Sequence, residues 1–513
     1  MRVRLRWYPI GAEKKKRTGN AGNTHLQCGS ILKISFKIFS LTTQREPSAA
    51  AKVRHPEDPF PQRNAGSQVS CLIEPCASSP EQSLLQISLL LLIASIWFPG
   101  ATRIAGTDGS LSFLLALFCA VVGVASYGEL GKRIHRTEAT LATALLTTAA
   151  LIIVLSLLSM LHADNPMRAM RAIFAQIFGF ATIPAVAALS TRPNGQVLLD
   201  RLVTAMVVMS VATACLVVGG LGGAKFADRA EGYFKHSNQL GIALSAGLPL
   251  VAARLVTTRK HRLLLAGCMA AVLLGLVKSG SKTNFVVGVI GLGLFFALYA
   301  IYLAVRRQRP LTVVAGVIAA PVALQMALVI LQSLNPRAYR LLMTQVSGGE
   351  AHSMVSRERL WTISINLGLA HPFTGVGAGQ PIGDIAPHSH NLFIEYFRTL
   401  GVPGVGLITI MVLLVVILLV SAVVPTLMGQ GESRHATVIN VMLLGSAVCV
   451  WNYLVANQMS DSFGPSTAPF FWIPLALLIA YRSMQRSPVP AEVDRSRVTY
   501  DRPMPAAART LEI

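Results

Sequence analysis

The stretch GVPGVGLITIMVLLVVILLVSAVV, residues 401–424, contains no charged side chain. A helix of about 20 predominantly apolar residues crosses the hydrocarbon core of a bilayer, so this segment alone is long enough to span a membrane. The chain repeats this pattern many times, with apolar runs of about 16–24 residues separated by polar intervals. The sequence therefore predicts an all-α, polytopic integral membrane protein.

Composition supports this fold class. Of 513 residues, 53% are hydrophobic and 13% are charged, with a mean hydropathy of +0.55. A soluble protein of this length would carry about a quarter charged residues, so a single soluble core is excluded. The formal charge of +22 is spread over loops beside the apolar runs and over the two tails. This distribution is typical of topology signals and of contacts to anionic membrane lipids, and no nucleic-acid partner is predicted.

The apolar runs divide the chain into three parts. Residues 1–83 are basic and lack sustained periodicity, which predicts a disordered cytosolic tail or an upstream mis-start of the reading frame. Residues 84–481 form the polytopic domain, and residues 482–513 form a second cytosolic tail. About twelve transmembrane helices are predicted, near 84–99, 110–127, 139–161, 169–190, 201–220, 239–256, 261–277, 284–305, 310–330, 401–424, 436–457 and 466–481.

Basic loops predict the orientation. With a cytosolic N-terminus, alternate loops rich in Lys and Arg fall on the cytosolic side, so both termini are predicted inside. The interval 331–389 then becomes one large outer loop with short helices, which is periplasmic if the cell is a diderm bacterium. Several cations nevertheless lie on the outer side, where such residues more often hold a phosphate. They are Lys225, Arg229, Lys235, Lys278, Lys282, Arg337, Arg340, Arg357 and Arg359.

The stretch SRERLWTISINLGLAHPFTGVGAG, residues 356–379, predicts a helix followed by a glycine-rich turn. Ser356 is a suitable N-cap and Pro372 stops the helix. Arg357, Trp361 and Ser364 then share one helix face.

Two interpretations of this segment remain open. The helix either lies on the membrane surface, with Arg357 and Arg359 at the lipid headgroups, or directs Arg357 towards an anionic ligand. In the second interpretation, Gly375, Gly377 and Gly379 let the backbone approach that ligand.

The loop ends in APHSHNLFIEYFRTLGVPG, residues 386–404. Asn391 is a natural N-cap for the helix that follows, which Gly401 and Pro403 would close. His390 directly precedes that helix, whose positive end disfavours imidazolium, and a neutral imidazole can act as a general base. The alternative is that His388 and His390 are interfacial histidines without a ligand.

Metal binding is not favoured at this stretch. No carboxylate or cysteine lies at ligand spacing from the two histidines, and the seven cysteines show no paired metal spacing. No metal and no other cofactor is predicted.

The order of SRERLW, HPFTGVGAG and HSHNLFIEYFRTLGVPGVGL over about residues 350–410 resembles the bacterial O-antigen ligase and polysaccharide polymerase superfamily, including polymerases of exopolysaccharides. EGYFKHSNQLG (231–241) and SGSKTNFVVG (279–288) also look like that superfamily. Its members commonly have Arg where this chain has Lys282, which keeps the charge and loses the bidentate guanidinium.

The resemblance implies metal-independent, inverting glycosyl transfer at the periplasmic face of the inner membrane. The implied donor is a glycan on undecaprenyl pyrophosphate, and the acceptor is another lipid-linked glycan or the lipid A core. Arg357 would bind the pyrophosphate, Lys282 would make a second phosphate contact, and His390 would deprotonate or orient the acceptor hydroxyl. Further candidates for substrate binding are His388, Arg359 and Lys235.

The resemblance leaves several alternatives open. It does not separate a ligase from a polymerase, although the exopolysaccharide-like segments slightly favour a polymerase. A chain-length regulator is a further candidate partner. A transporter or flippase of lipid-linked glycans would also have about twelve spans with both termini inside, although no internal repeat is visible. A non-catalytic assembly partner of a synthase is the third interpretation.

Overall fold

Apolar runs fold into helices because a helix satisfies its backbone hydrogen bonds internally, which a bilayer requires. The computed structural model describes residues 80–99, 110–130, 136–192, 194–221, 229–306, 325, 328–346, 352–429, 434–458, 463–464 and 466–486. The chain divides into two units, Met1–Pro75 and Cys76–Ile513, of which the first lies outside these ranges. The predicted tail at 1–83 therefore lies almost entirely outside the described residues, as does most of 482–513.

The described residues form thirteen helices and no strand, so the predicted all-α class is confirmed there. The helices are α1 Pro80–Ile96, α2 Ser110–Leu130, α3 Arg136–Ser159, α4 Pro166–Ser190, α5 Gly195–Val218, α6 Ser237–Thr257, α7 Arg262–Ser279, α8 Lys282–Val305, α9 Pro336–Val346, α10 His352–Ala370, α11 Leu392–Met428, α12 Arg434–Ala456 and α13 Pro469–Arg486.

Eight helices among the described residues are long and apolar enough to cross a membrane. They are α3 to α8, α11 and α12, and each coincides with a predicted span. The predictions at 84–99 and 110–127 correspond to the shorter apolar helices Ser83–Ile96 and Leu111–Ala125. The prediction at 466–481 overlaps α13, which is not apolar enough over its whole length to be counted among these membrane-crossing helices. Most of the predicted span at 310–330 lies outside the described residues. The predicted number of about twelve is not confirmed.

Helix α6 occupies the centre of the bundle. Every residue from Gln239 to Ala253 is buried, which is expected of a helix that protein surrounds on all sides. By contrast, α3 and α11 expose large apolar side chains such as Leu158 and Ile417, as lipid-facing helices do.

Long-range contacts separate two ends of the bundle. At one end, the backbone N–H of Ala378 donates to Ser159 Oγ (3.0 Å), and the side chain of Gln380 bonds Asn165. We call this the loop end, because the segments around 160–165, 229–236, 280–281 and 371–391 all connect helices at this end.

The opposite end is held by ion pairs. Glu138 Oε1 lies 2.7 Å from Arg482 Nε and 3.0 Å from Arg486 Nη1, and Arg254 pairs with Asp200. The pair of Glu138 and Arg482 is almost fully buried, so it fixes α3 against α13.

Candidate active site

Three cations from separate segments meet at the loop end. Lys282 is the first residue of α8, Arg357 lies in the second turn of α10, and Arg229 precedes α6. The positive charge of Lys282 interacts with those of both Arg357 and Arg229. Since like charges repel, such a cluster favours the binding of an anion. We call Lys282, Arg357 and Arg229 the cation cluster.

Short connections hold the cation cluster in place. Gly280 has a positive φ of 62°, which lets the chain turn from α7 into α8 in two residues and brings Lys282 to a helix N-terminus. The aliphatic part of Arg229 packs against Gly280, where a β-carbon would lie 2.9 Å from its Cγ. Arg229 Nη2 also donates to Asn238 Oδ1 at 3.2 Å.

Two asparagines bind these segments together. Asn284 donates to Ser281 Oγ at 2.8 Å and to the carbonyl of Asn238 at 3.0 Å. Asn335 donates to the carbonyl of Val277 at 3.4 Å, which connects the segment before α9 to the end of α7. Hydrogen bonds therefore connect the segments that carry Lys282 and Arg229.

Arg357 is half-buried, and burial lowers the pKa of its guanidinium below the usual range. Arginine is effectively always protonated in proteins, so Arg357 supplies a positive charge. A partly desolvated guanidinium binds a phosphate more strongly than one in bulk water does.

Helix α10 begins earlier than the sequence predicts. It starts at His352, so the prediction of Ser356 as N-cap was wrong, because no stop signal separates residues 352–355 from the helix. The helix ends at Ala370, before Pro372, as predicted.

The predicted ligand-binding role of the glycine turn is not supported. Gly375, Gly377 and Gly379 all have positive φ, yet the places where β-carbons would lie are taken by protein atoms. The neighbours are the Thr399 backbone, Ala163 and the Arg168 backbone, in that order. These glycines bring the turn close to α11 and to the start of α4, which is a packing role.

The two histidines lie together at the N-terminus of α11. Their ring centroids are 4.3 Å apart, nearly perpendicular, and His390 has a left-handed backbone with φ of 59°. Asn391 Oδ1 accepts from the backbone N–H groups of Phe393 (3.0 Å) and Ile394 (3.1 Å), which confirms the predicted N-cap.

The helix after Asn391 does not close as predicted. Its backbone leaves the helical region at Gly401, with φ of 69°, but helical structure resumes and continues to Met428. The prediction of a helix end there is therefore right about the break and wrong about the termination.

A buried ion pair supports the histidine turn. Glu395 Oε2 accepts from the Ser389 backbone N–H at 2.8 Å, and Glu395 Oε1 pairs with Arg398 Nη2 at 2.7 Å. Arg398 is fully buried and also donates to the carbonyls of Gln380 (2.6 Å) and Pro381 (3.2 Å). The pair therefore joins α11 to the chain on either side of His388.

Of the six predicted site residues, the structure brings Lys282 together with Arg357, and His388 together with His390. Arg359 and Lys235 are exposed side chains of the loop end.

Sequence reasoning named Arg229 among the outer-side cations but selected neither it nor Glu395 nor Arg398 as a site residue. Glu395 and Arg398 lie three positions apart within an apolar segment. Opposite charges in such a position indicate a buried ion pair. Within the described ranges, no group of three or more His, Cys, Asp or Glu side chains is arranged to hold a metal ion.

Residues 265–409 match the family model of O-antigen ligase. The matched region includes Lys282, Arg357 and His390, and it runs from the start of α7 into α11. The resemblance to the O-antigen ligase and polymerase superfamily is thereby confirmed. No curated protein matches the chain significantly.

Proposed function

From the O-antigen ligase region at 265–409, we propose that this membrane protein transfers a glycan from undecaprenyl pyrophosphate to an acceptor hydroxyl. The family supports glycan transfer between a lipid-linked oligosaccharide and an acceptor glycan in general. The observation that carries the finer proposal is the meeting of Lys282 and Arg357 at one end of the bundle.

Pyrophosphate suits the cation cluster. It is a good leaving group when its developing negative charge is matched by nearby cations. Arg357 would bind it in a bidentate manner and Lys282 would supply a second charge, with Arg229 near Lys282. Arg359 and Lys235 would contact more distant parts of the substrate or the lipid headgroups.

His390 is the proposed general base. It would take the proton of the acceptor hydroxyl as that oxygen attacks the anomeric carbon, while the bond to pyrophosphate breaks. Attack from the face opposite the leaving group inverts the anomeric centre. His388, whose ring contacts that of His390, would orient it, and the chemistry needs no metal.

In this proposal the loop end faces the periplasm and both termini are cytoplasmic, so the reaction takes place at the outer face of the inner membrane. The product would be an exopolysaccharide or a glycan on the lipid A core, and a chain-length regulator would be a partner of a polymerase.

The experiment uses the full chain in lipid with an undecaprenyl-pyrophosphate oligosaccharide. A ladder of longer lipid-linked glycans identifies a polymerase, whereas transfer only to an added lipid A core acceptor identifies a ligase. We expect the product to be lost in His390→Ala and kept in Lys260→Ala, which changes an exposed cation at the opposite end of the bundle. A flippase would yield neither product, and that result would refute the proposal.

A further inference from the structure

Two buried polar atoms lie on the face of α10 that carries Arg357. Trp361 and Ser364 follow Arg357 at i+4 and i+7, so their side chains lie about 6 Å and about 10 Å farther along the helix axis. Neither Trp361 Nε1 nor Ser364 Oγ has a hydrogen-bond partner within the part of the chain that the structure describes. Ser364 is fully buried.

This face points into the bundle. Gly368, at i+11 from Arg357, packs against the ring of Phe397 in α11, where a β-carbon would lie 2.6 Å from the ring. The stripe of Arg357, Trp361, Ser364 and Gly368 therefore runs from the cation cluster towards α11, the helix that begins beside the two histidines.

Many buried helical serines of the described chain donate to a backbone carbonyl, which Ser364, like Ser446, does not. Ser88, Ser156 and Ser210 each donate to the carbonyl four residues earlier, at 2.7–2.8 Å. A buried donor without a partner lowers the stability of the fold, because its lost hydrogen bonds to water are not replaced. An alanine at the same position would avoid this desolvation cost. Such a group in a folded protein calls for an explanation, and a bound ligand that accepts its hydrogen bond is one.

We propose that Trp361 and Ser364 bind the glycan of the donor, in the sugar units next to the pyrophosphate. This inference rests on the proposed function. Sugars offer hydroxyl oxygens that accept from an N–H and an O–H, and apolar C–H faces that lie against an indole ring. A polyprenyl chain would leave both donors unsatisfied, and the two neutral donors lie beyond the cation cluster that suits the phosphates.

Two conservative variants test this subsite. Trp361→Phe keeps an aromatic ring and removes the N–H, and Ser364→Ala removes only the hydroxyl. Ser446→Ala is the matched control, because Ser446 is also fully buried and its Oγ likewise has no partner among the described residues, but it lies in α12. Binding is measured on the full chain in lipid nanodiscs with two probes, undecaprenyl pyrophosphate alone and the same lipid carrying an oligosaccharide.

We expect each of the two variants to weaken binding of the glycosylated lipid by about fivefold to thirtyfold, the loss of one hydrogen bond. Binding of undecaprenyl pyrophosphate alone should stay within about twofold, and the Ser446→Ala protein should bind both probes normally. Thermal stability of Ser364→Ala should be equal to or above that of wild type, because an unsatisfied hydroxyl is removed.

Equally weakened binding of both probes would assign Trp361 and Ser364 to the phosphates and overturn the inference. No weakening of either probe would overturn it as well, since ordered water would then suffice for both donors. Arg357→Ala separates this failure from that of the proposed function. If Arg357→Ala weakens both probes while Trp361→Phe and Ser364→Ala weaken neither, only the glycan subsite is refuted.

Discussion

Replacing Glu395 by Gln should loosen the histidine turn without removing a histidine. The carboxylate of Glu395 holds the Ser389 backbone N–H at 2.8 Å and the Arg398 guanidinium at 2.7 Å. Glutamine has the same shape and can still accept one hydrogen bond, but it has no charge. The fully buried Arg398 would lose the negative charge that it pairs with. Its guanidinium would then be held less firmly against the backbone carbonyls of Gln380 and Pro381.

The expected cost follows from burial. Removing one partner of a buried ion pair destabilises a protein by about 3–5 kcal/mol. Asp200→Asn is the control, since Asp200 also pairs with an arginine but its side chain is 47% exposed. A pair with a half-exposed carboxylate is screened by water, so the control should cost less than Glu395→Gln, about 1 kcal/mol.

Hydrogen–deuterium exchange of the backbone amides is the assay. In Glu395→Gln, amides of residues 380–391 should exchange much faster, whereas those of the central helix α6 should keep their protection. Glycan transfer should fall with the loss of order in the turn. Unchanged exchange in residues 380–391 would refute the argument that the ion pair holds the turn.

Three further predictions concern the glycine turn, the phosphate contact and metals. Gly375→Ala should destabilise the protein by about 2–5 kcal/mol, because φ is +64° and the Thr399 backbone fills the place of a β-carbon. The control Gly383→Ala, at φ +51° in open space, should cost about 1–2 kcal/mol. Equal unfolding temperatures of the two variants would contradict the packing role of Gly375. Arg357→Lys should bind donor at pH 7 and lose it at a lower pH than wild type does as the pH rises towards about 10. Burial lowers the pKa of Arg357 and would also lower a lysine pKa from its usual value of about 10.4, and a cation loses its charge above its pKa. A pH profile identical to that of wild type would count against a phosphate contact. Activity should persist in EDTA, and restoration by added Mg²⁺ or Zn²⁺ after a loss would contradict a metal-independent reaction.

Much of the fold follows from local pattern. The spans are predictable because about 20 apolar residues leave few alternatives to a membrane helix, and Asn391 is a recognisable cap. Boundaries are harder: α10 starts at His352, four residues before Ser356, since polar residues continue a helix as readily as they begin one.

The candidate site depends more on tertiary contacts. Arg357 and Lys282 are 75 positions apart, and only packing brings their charges together with that of Arg229. The glycine turn shows the same limit, because a positive φ serves a ligand and a neighbouring backbone equally well. A resemblance to a family selected Arg357, Lys282 and His390, whereas the residue pattern alone left open whether Arg357 and His390 bind a ligand or lie at the membrane surface.

The central claim is that the cation cluster releases undecaprenyl pyrophosphate from a glycan donor. The most direct test measures that release over time for wild type, Arg357→Ala and Lys282→Ala, with Lys260→Ala, an exposed cation between α6 and α7, as control. We predict release by wild type and Lys260→Ala, and a loss of at least about a hundredfold in Arg357→Ala, since a charge-assisted contact to the leaving group is worth about 3 kcal/mol. Release by Arg357→Ala at the rate of wild type would contradict the account.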